Sequence, residues 1–484
     1  MLFNSYAFLL FFPVVCILYF TLPQKLRNPW LMLCSYFFYG LWNFAYLGLI
    51  FFSTATTYAC SLIIGSLQQR GREGDRRLMK QAIAINLLIN LGILFMFKYY
   101  NLFSQTMGGI GIAMPSLNLL LPVGISFFTF QSLGYTIDVY RGQIKVERNF
   151  MTYALFVSFF PQLVAGPIER AGNLLPQFHV QHRYSFENMR KGLLIMLWGF
   201  FLKVVLADRA AILVNHIYNT QTSTGFQYLI GTLVFGFQIY GDFAGYSMIA
   251  MGAAQVLGFT LMRNFRQPYL SQSVGEFWRR WHISLSDWFR DYLYFPLGGS
   301  RRGTARTLLN IMVVFLLSGL WHGAAYTFVL WGFLNGIYQV AERLLHIAVH
   351  RRSNGWAGLI RVALTFTLIT LAWVPFRAAS IEQALAIYGK LFSADVLPRL
   401  SDVVGQTNAV FGMGKYEVLA LAASIIAVAV ADMLEARNPG LIDRAERLPA
   451  WKRWPIYYVL LFAVLIFGIY GSAAGPAAFI YFQF

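Results

Sequence analysis

The chain contains few charged residues and few cysteines. Charged residues make up 12% of its 484 positions, whereas a typical soluble domain carries about 25%. The three cysteines, Cys16, Cys34 and Cys60, all lie in apolar segments and have no metal-ligand spacing. A disulfide framework and a cysteine nucleophile are therefore disfavoured. Together with a hydrophobic content of 58%, the shortage of charge indicates an integral membrane protein.

Apolar runs recur from one end of the chain to the other. A transmembrane helix needs about 20 such residues, whereas a transmembrane β-barrel would show short alternating segments of about ten residues. The clearest runs are 6–21, 46–67, 83–97, 119–135, 228–257, 362–374, 418–433 and 455–469. The sequence therefore predicts an all-α polytopic membrane protein.

The basic residues lie in short loops between the apolar runs. For this reason the net charge of +18 is typical of membrane orientation signals and does not indicate nucleic-acid binding. Segment 67–80 has five basic and two acidic residues, whereas segments 101–118 and 219–226 have no charged residue. Assigning the basic loops to the cytoplasm predicts about twelve crossings, with both termini outside.

Two apolar segments have the wrong length for simple crossings. Segment 150–167 is short and has basic residues on both sides, which favours a re-entrant or broken segment. Stretch 307–341 is too short for two spans of about 20 residues and long for one. We therefore expect a break at the sequence Trp-His-Gly-Ala-Ala of 321–325. Irregular backbone at membrane depth is tolerated only inside protein or beside water, so both segments indicate an internal cavity.

Segment 274–294 has the periodicity of an amphipathic helix. Its polar face contains two pairs at helical spacing, Glu276 with Arg280 and Asp287 with Arg290. We expect this helix to lie in the membrane interface or to line a polar entrance. His282 falls at the border of the two faces, where it can reach into a cavity. The apolar stripe consists of Val274, Phe277, Trp278, Trp281, Leu285, Trp288, Phe289 and Tyr292.

His322 lies in a stretch without formal charge between Arg306 and Glu342. Ionisable residues inside a membrane are costly and are functional candidates by default. Histidine suits a general base because its ordinary pKa of about 6.5 lies near neutral pH. The residues alone leave three roles open for His322: a catalytic base, part of a transport pathway, or a packed side chain bonded to a nearby carbonyl.

Asp242 is a second isolated ionisable residue, the only carboxylate between Arg209 and Arg263. Gln238, Asp242 and Tyr246 are four residues apart and share a helix face. Asp242 either orients a histidine or binds a polar acceptor. Equally, it makes a structural contact with Tyr240 or with an arginine of segment 279–290.

Four motifs occur in the order found in a known family: Asp242-Phe-Ala-Gly-Tyr-Ser247, Asn264-Phe-Arg-Gln-Pro-Tyr269, Phe277-Trp-Arg-Arg-Trp-His-Ile-Ser-Leu-Ser-Asp-Trp288 and Ser318-Gly-Leu-Trp-His-Gly-Ala324. Together with Phe160-Pro-Gln-Leu-Val-Ala-Gly-Pro167 and the aromatic end Phe479-Ile-Tyr-Phe-Gln-Phe484, they resemble the membrane-bound O-acyltransferase (MBOAT) family, in particular its bacterial alginate O-acetylation branch. The resemblance covers nearly the whole chain.

The resemblance implies one integral-membrane domain over 1–484. About twelve transmembrane helices, with re-entrant and interfacial helices, would surround a central funnel. Residues 1–149 would form N-terminal helices, 150–345 a catalytic core with both histidine motifs, and 346–484 C-terminal helices. The implied location is the bacterial cytoplasmic (inner) membrane.

The resemblance also implies an activity. An acetyl or other short acyl group would pass from a cytoplasmic thioester, acetyl-CoA in the simplest case, to an extracytoplasmic polysaccharide such as alginate or cellulose. Transfer would be direct or would pass through an extracytoplasmic SGNH-type partner protein. The thioester is a donor substrate, and we expect no bound cofactor. A metal site is not supported either, because the seven histidines lack close metal-ligand spacing.

The family's signature histidine matches His322, which we expect to deprotonate the incoming hydroxyl. The second functional histidine matches His282, which would orient substrate, polarise the thioester carbonyl, or only anchor its helix. Arg279, Arg280 and Arg290 either attract an anionic donor such as the phosphates of coenzyme A or form a solvated helix face. Tyr240 and Trp321 complete the candidate substrate contacts.

Two other classes of function compete with acyl transfer. One is a polytopic transporter or lipid-linked-sugar flippase, with His322 and Asp242 as a proton relay. Transporters often have two related halves, and no such repeat is visible between the halves of this sequence. The other class is a scaffold that recruits secreted partners, in which the histidines are incidental.

Overall fold

The computed structural model of the chain describes residues 1–72, 74–164, 166–220, 222–347, 352–396 and 406–470. The aromatic motif at 479–484 lies outside them. All regular secondary structure in these ranges is helical, which confirms the predicted all-α class. Six helices of the described chain are long and apolar enough to cross a membrane: Tyr46–Arg70, Asp75–Gly109, Thr304–His322, Gly355–Arg377, Lys415–Arg437 and Ala450–Phe467.

The remaining helices are shorter, less apolar, or both. Tyr6–Thr21 is apolar but has only 16 residues. The others of eight residues or more are Gln24–Gly40, Ile125–Tyr140, Phe150–Ser158, Ala171–Phe178, Phe186–Phe200, Asp208–Asn219, Gly225–Leu257, Tyr326–Leu344 and Ile381–Leu391. The chain is thus a multi-pass membrane protein, while the count of about twelve crossings and the central funnel stay predictions.

The chain divides into two compact units. The first contains residues 1–193 and 249–263, and the second contains 194–248 and the chain from 264 onward. The long helix Gly225–Leu257 contributes to both units, with the division after Met248. Both candidate histidines belong to the second unit. The predicted three-part organisation of a single domain, 1–149, 150–345 and 346–484, stays a prediction.

In the first unit, the segment predicted to be broken is two helices, Phe150–Ser158 and Phe160–Leu163. Its side chains are almost completely buried. The backbone bends at Phe159, and the carbonyl of Phe156 accepts hydrogen bonds from the side-chain amides of Gln131 and Gln162, both at 2.7 Å. Backbone freed from helical bonding is therefore satisfied by side chains, as buried membrane segments require. The prediction of a broken segment is confirmed.

In the second unit, the charge-free stretch forms a hairpin of Thr304–His322 and Tyr326–Leu344, with the break at 323–325. The predicted break is confirmed. The length argument needs correction, because both helices extend past the charge-free residues and reach 19 residues each. A Cβ on Gly319 would clash with the carbonyl oxygen of Phe328, and one on Gly332 with that of Phe315. Small residues thus allow the two backbones to touch.

The prediction of one amphipathic helix over 274–294 is wrong. The segment contains Val274–Trp278, Ile283–Phe289 and a π-helical turn Arg290–Tyr294. The interruption ends at His282, whose backbone is left-handed with φ 44° and ψ 53°. Six members of the predicted apolar stripe are nonetheless buried: Val274, Phe277, Trp281, Leu285, Phe289 and Tyr292. The two predicted ion pairs are confirmed, with N–O distances of 2.7 Å for Arg280–Glu276 and 2.6 Å for Arg290–Asp287.

Candidate active site

His322 is the last residue of the helix Thr304–His322, and its side chain is buried. Aromatic rings surround the imidazole: ring centroids lie 5.0 Å away for Trp331 and 5.5 Å away for Phe376. The preceding residue, Trp321, is also buried and lies edge-on to the imidazole at 5.1 Å. The C-terminal end of a helix favours positive charge. This position suits an imidazole that becomes cationic when it accepts a proton.

His282 lies beside His322. Their ring centroids are 6.3 Å apart, which is too long for a hydrogen bond between the rings. The ring of Trp321 lies 5.9 Å from that of His282, and the ring of Phe243 lies 4.6 Å from it, edge-on. The structure thus brings the two predicted histidines together, although they are 40 positions apart in sequence.

Asp242 has a partner that the sequence analysis missed. Its carboxylate lies 2.7 Å from the Lys203 ammonium, which is also 2.7 Å from the carboxylate of Asp208. All three side chains are buried. Lys203 was recognisable as an isolated charge in an apolar run, and such residues usually pair with one another. We call Lys203, Asp208 and Asp242 the buried charge triad.

Close contact between backbones brings the triad together. Lys203 lies in a π-helical segment, Phe201–Ala207. On the long helix, a Cβ at Gly241 would lie 2.9 Å from the carbonyl oxygen of Leu202, and one at Gly245 would lie 2.7 Å from that of Gly199. These glycines, four residues apart, permit an approach that larger residues would prevent. The approach places Asp242 within reach of Lys203.

Tyr240 is buried and bonds to a carboxylate of a distant helix. Its hydroxyl donates to the carboxylate of Asp432, with an oxygen–oxygen distance of 3.0 Å. Its ring packs near Trp281, with a centroid distance of 6.1 Å. Asp242 therefore pairs with Lys203, and Tyr240 with Asp432. The predicted contact between Asp242 and Tyr240 is therefore wrong.

The two arginines of the second histidine motif differ. Arg279 is exposed. The Arg280 guanidinium is bound to Glu276 and also donates to the backbone carbonyl of Arg266 at 3.3 Å. Arg352 binds the same Glu276 carboxylate at 3.1 Å. Arg280 is thus held by structural contacts and is partly buried, whereas Arg279 is exposed.

Comparison with known proteins identifies the family. Residues 143–354 match the model of the membrane-bound O-acyltransferase family. The chain is 40% identical over 403 residues to a protein named probable alginate O-acetylase AlgI from Pseudomonas putida, covering 81% of this chain and 80% of the relative. The chain therefore belongs to the membrane-bound O-acyltransferase family, and it is an O-acyltransferase.

Other relatives have different named activities. A peptidoglycan O-acetyltransferase from Helicobacter pylori is 37% identical over 80% of this chain and 79% of its own length. A teichoic acid D-alanyltransferase from Bacillus subtilis is 27% identical over 54% of this chain and 70% of its own length. By their names, these relatives share acyl transfer and differ in the acyl group and in the polymer that receives it.

Proposed function

We propose that this protein moves an acetyl group from cytoplasmic acetyl-CoA across the membrane, for O-acetylation of an extracytoplasmic polysaccharide. The observation that carries the proposal is the pair of buried histidines, His322 and His282, whose rings lie 6.3 Å apart among aromatic side chains. The names of the relatives support acetyl as the acyl group, because those with the higher identities are O-acetylating enzymes. A polysaccharide such as alginate or cellulose is the corresponding acceptor.

His322 acts as the general base in this proposal. Its neutral imidazole accepts the proton of an incoming hydroxyl while the hydroxyl oxygen attacks the thioester carbonyl carbon. The carbonyl π electrons form an oxyanion, which then re-forms the carbonyl and expels the thiolate. The imidazolium returns its proton to the sulfur, so that the products are an ester and a thiol. The helix C-terminus stabilises the transient imidazolium.

His282 and Trp321 also contact the reacting groups. A protonated ring nitrogen of His282 donates to the developing oxyanion, where preorganised donors are most effective. Trp321, whose ring lies near both imidazoles, excludes water from the thioester. Exposed Arg279 attracts the phosphates of coenzyme A. Arg280 and Tyr240 assist through the contacts that hold the surrounding segments.

The acetyl group reaches its polymer by one of two routes. In the first, a polysaccharide hydroxyl attacks the thioester directly. In the second, the hydroxyl belongs to an extracytoplasmic SGNH-type partner protein, which then passes the acetyl group on. Both routes need the same base and oxyanion contacts. The two routes therefore differ only in the acceptor hydroxyl. His322 and His282 have the same roles in both.

The transporter alternative has less support. A proton relay through Asp242 and His322 requires these groups to exchange a proton. The Asp242 carboxylate instead binds Lys203 at 2.7 Å, and the rings around His322 are aromatic. These contacts favour a role for His322 as a buried general base over a role in a continuous proton relay.

The test uses full-length protein in lipid nanodiscs with acetyl-CoA carrying a labelled acetyl group, plus alginate or cellulose oligosaccharides. We expect the wild type to release coenzyme A. The labelled acetyl group should appear on an acceptor or, after transfer to water, as acetate. The substitution His322→Ala should lower the rate by about 10²–10⁴, the usual contribution of a general base. His179→Ala is the matched control, because His179 is an exposed histidine paired with Glu147.

Two results would contradict the proposal. One is a His322→Ala variant that cleaves the thioester at the wild-type rate. The other is uptake of a solute into sealed vesicles without thioester cleavage, which would favour the transporter.

A further inference from the structure

We propose that Asn264 is a positioning residue that holds His282 in its left-handed conformation and so fixes the direction of its imidazole. Left-handed backbone is uncommon for residues that carry a Cβ. Among the described residues other than glycine, only Gln267, His282 and His346 have a positive φ. The surrounding structure must therefore hold His282 in place.

Asn264 bonds the two residues that follow His282. Its backbone carbonyl accepts from the Ile283 N–H at 3.0 Å. Its side-chain Oδ1 accepts from the Ser284 hydroxyl at 2.7 Å and from the Ser284 N–H at 3.3 Å. Asn264, His282 and Ser284 are all 1% exposed. These bonds start the helix Ile283–Phe289 directly after the left-handed residue.

A second set of contacts connects Asn264 to the long helix. The Asn264 amide nitrogen donates to the Ser247 hydroxyl at 3.3 Å. Ser247 lies four residues after Phe243, on the same helix face, and the Phe243 ring packs edge-on against His282 at 4.6 Å. One amide thus joins the segment that carries His282 to the helix that packs on its ring. An apolar side chain of similar size could fill the space but could not make any of these three side-chain hydrogen bonds.

The backbone on the other side of His282 is also held. The Arg266 N–H donates to the Arg280 carbonyl at 3.0 Å, so that residues 264–266 bond to the chain both before and after His282. Loss of the Asn264 side chain leaves these backbone hydrogen bonds in place. It removes the side-chain hydrogen bonds to Ser247 and Ser284. We therefore expect the substitution to preserve the fold and to disturb the direction of the His282 ring. This role rests on the proposed function, in which His282 contacts the reacting groups.

The test compares the full-length variants Asn264→Ala and Asn264→Asp in nanodiscs. Asn264→Ala should lower kcat for acetyl transfer by about tenfold to a hundredfold, as small misplacements of catalytic groups do, with a smaller change in KM for acetyl-CoA. Asn264→Asp keeps the acceptor for Ser284 and should recover most of kcat. Asn310→Ala is the matched control, because Asn310 is equally buried and donates to the carbonyls of Leu297 and Gly299.

A double-mutant cycle separates positioning from general damage. If Asn264 acts through His282, Asn264→Ala should cost little further activity in a His282→Ala background, because both changes remove one shared effect. Equal fold losses in the wild-type and His282→Ala backgrounds would overturn the proposal. A kcat of Asn264→Ala equal to that of Asn310→Ala would overturn it as well.

Thermal unfolding separates failure of this inference from failure of the proposed function. If the wild type transfers no acetyl group, the acetyltransferase proposal fails, whatever Asn264 does. The unfolding midpoints of Asn264→Ala, Ser284→Ala and the double variant still test the hydrogen bonds between Asn264 and Ser284. Midpoint shifts that do not add support the contact between Asn264 and Ser284, whereas additive shifts refute it.

Discussion

Removal of Lys203 from the buried charge triad should be one of the most destabilising single changes in the second unit. The Lys203→Met substitution keeps an unbranched side chain that is one atom shorter, and it removes the positive charge. It leaves the carboxylates of Asp208 and Asp242, each previously 2.7 Å from the ammonium, without their shared cation. Breaking a buried ion pair from one side typically costs about 3–5 kcal/mol.

Removing all three charges should restore stability. In the triple variant Lys203→Met, Asp208→Asn, Asp242→Asn the triad carries no charge, and replacement of whole buried charge groups is often close to neutral. Lys390→Met is the matched control, because the Lys390–Asp395 pair is exposed and 3.6 Å apart. Exposed pairs contribute little, so this variant should unfold like the wild type.

The assay is unfolding of purified protein in detergent, followed by tryptophan fluorescence and by the fraction that remains monodisperse after heating. We expect the midpoint to fall clearly for Lys203→Met, to recover in the triple variant, and to stay unchanged for Lys390→Met. A Lys203→Met protein as stable as the Lys390→Met protein would refute the reasoning, because the triad would then contribute nothing to folding.

Three further predictions concern other elements. Burial raises the pKa of Glu169 from 4.5 to about 7. Between these pH values the folded state therefore binds more protons than the unfolded state. The free energy of unfolding should fall by about 3 kcal/mol as pH rises through this range. Unfolding midpoints against pH should lose this slope in Glu169→Gln, and equal slopes would contradict the assignment. Gly319→Ala should cost about 1–3 kcal/mol through overpacking and lower acetyl transfer, whereas Gly92→Ala, with open space around its Cα, should do neither; equal midpoints would disprove the clash. Arg279→Ala should raise KM for acetyl-CoA with little change in kcat, and an unchanged KM would remove Arg279 from the donor site.

The features that sequence predicted well depend on local pattern. The break at 323–325 was predicted from the length of its charge-free stretch, although both helices extend past that stretch. The broken segment within 150–167 was predicted from its length and flanking charges. The motifs around His282 and His322 identified the family before any geometry was known. Pairs at helical spacing, such as Glu276 with Arg280, were also predictable because both members share one turn.

The features that sequence missed depend on contacts between distant segments. The periodicity of 274–294 predicts a continuous helix, yet the backbone of His282 is left-handed, and the chain on both sides of it bonds to residues 264–266. Hydrophobic pattern contains no signal for that contact. Asp242 was recognised as exceptional, but its partner Lys203 lies in another helical segment. A rule that pairs isolated charges would have found Lys203, and no comparable rule would have found Asn264.

The contact between Gly319 and Gly332 also has a mechanical consequence. With no side chain between the two backbones at Gly319 and Gly332, neither helix can slide along the other there without forcing a Cα against a carbonyl oxygen. The hairpin must then move as one rigid body, and His322 must move with it. Any opening of a route to this imidazole therefore has to come from its other neighbours, such as the Trp321 side chain, the segment that carries His282, or the helix Gly355–Arg377 that carries Phe376.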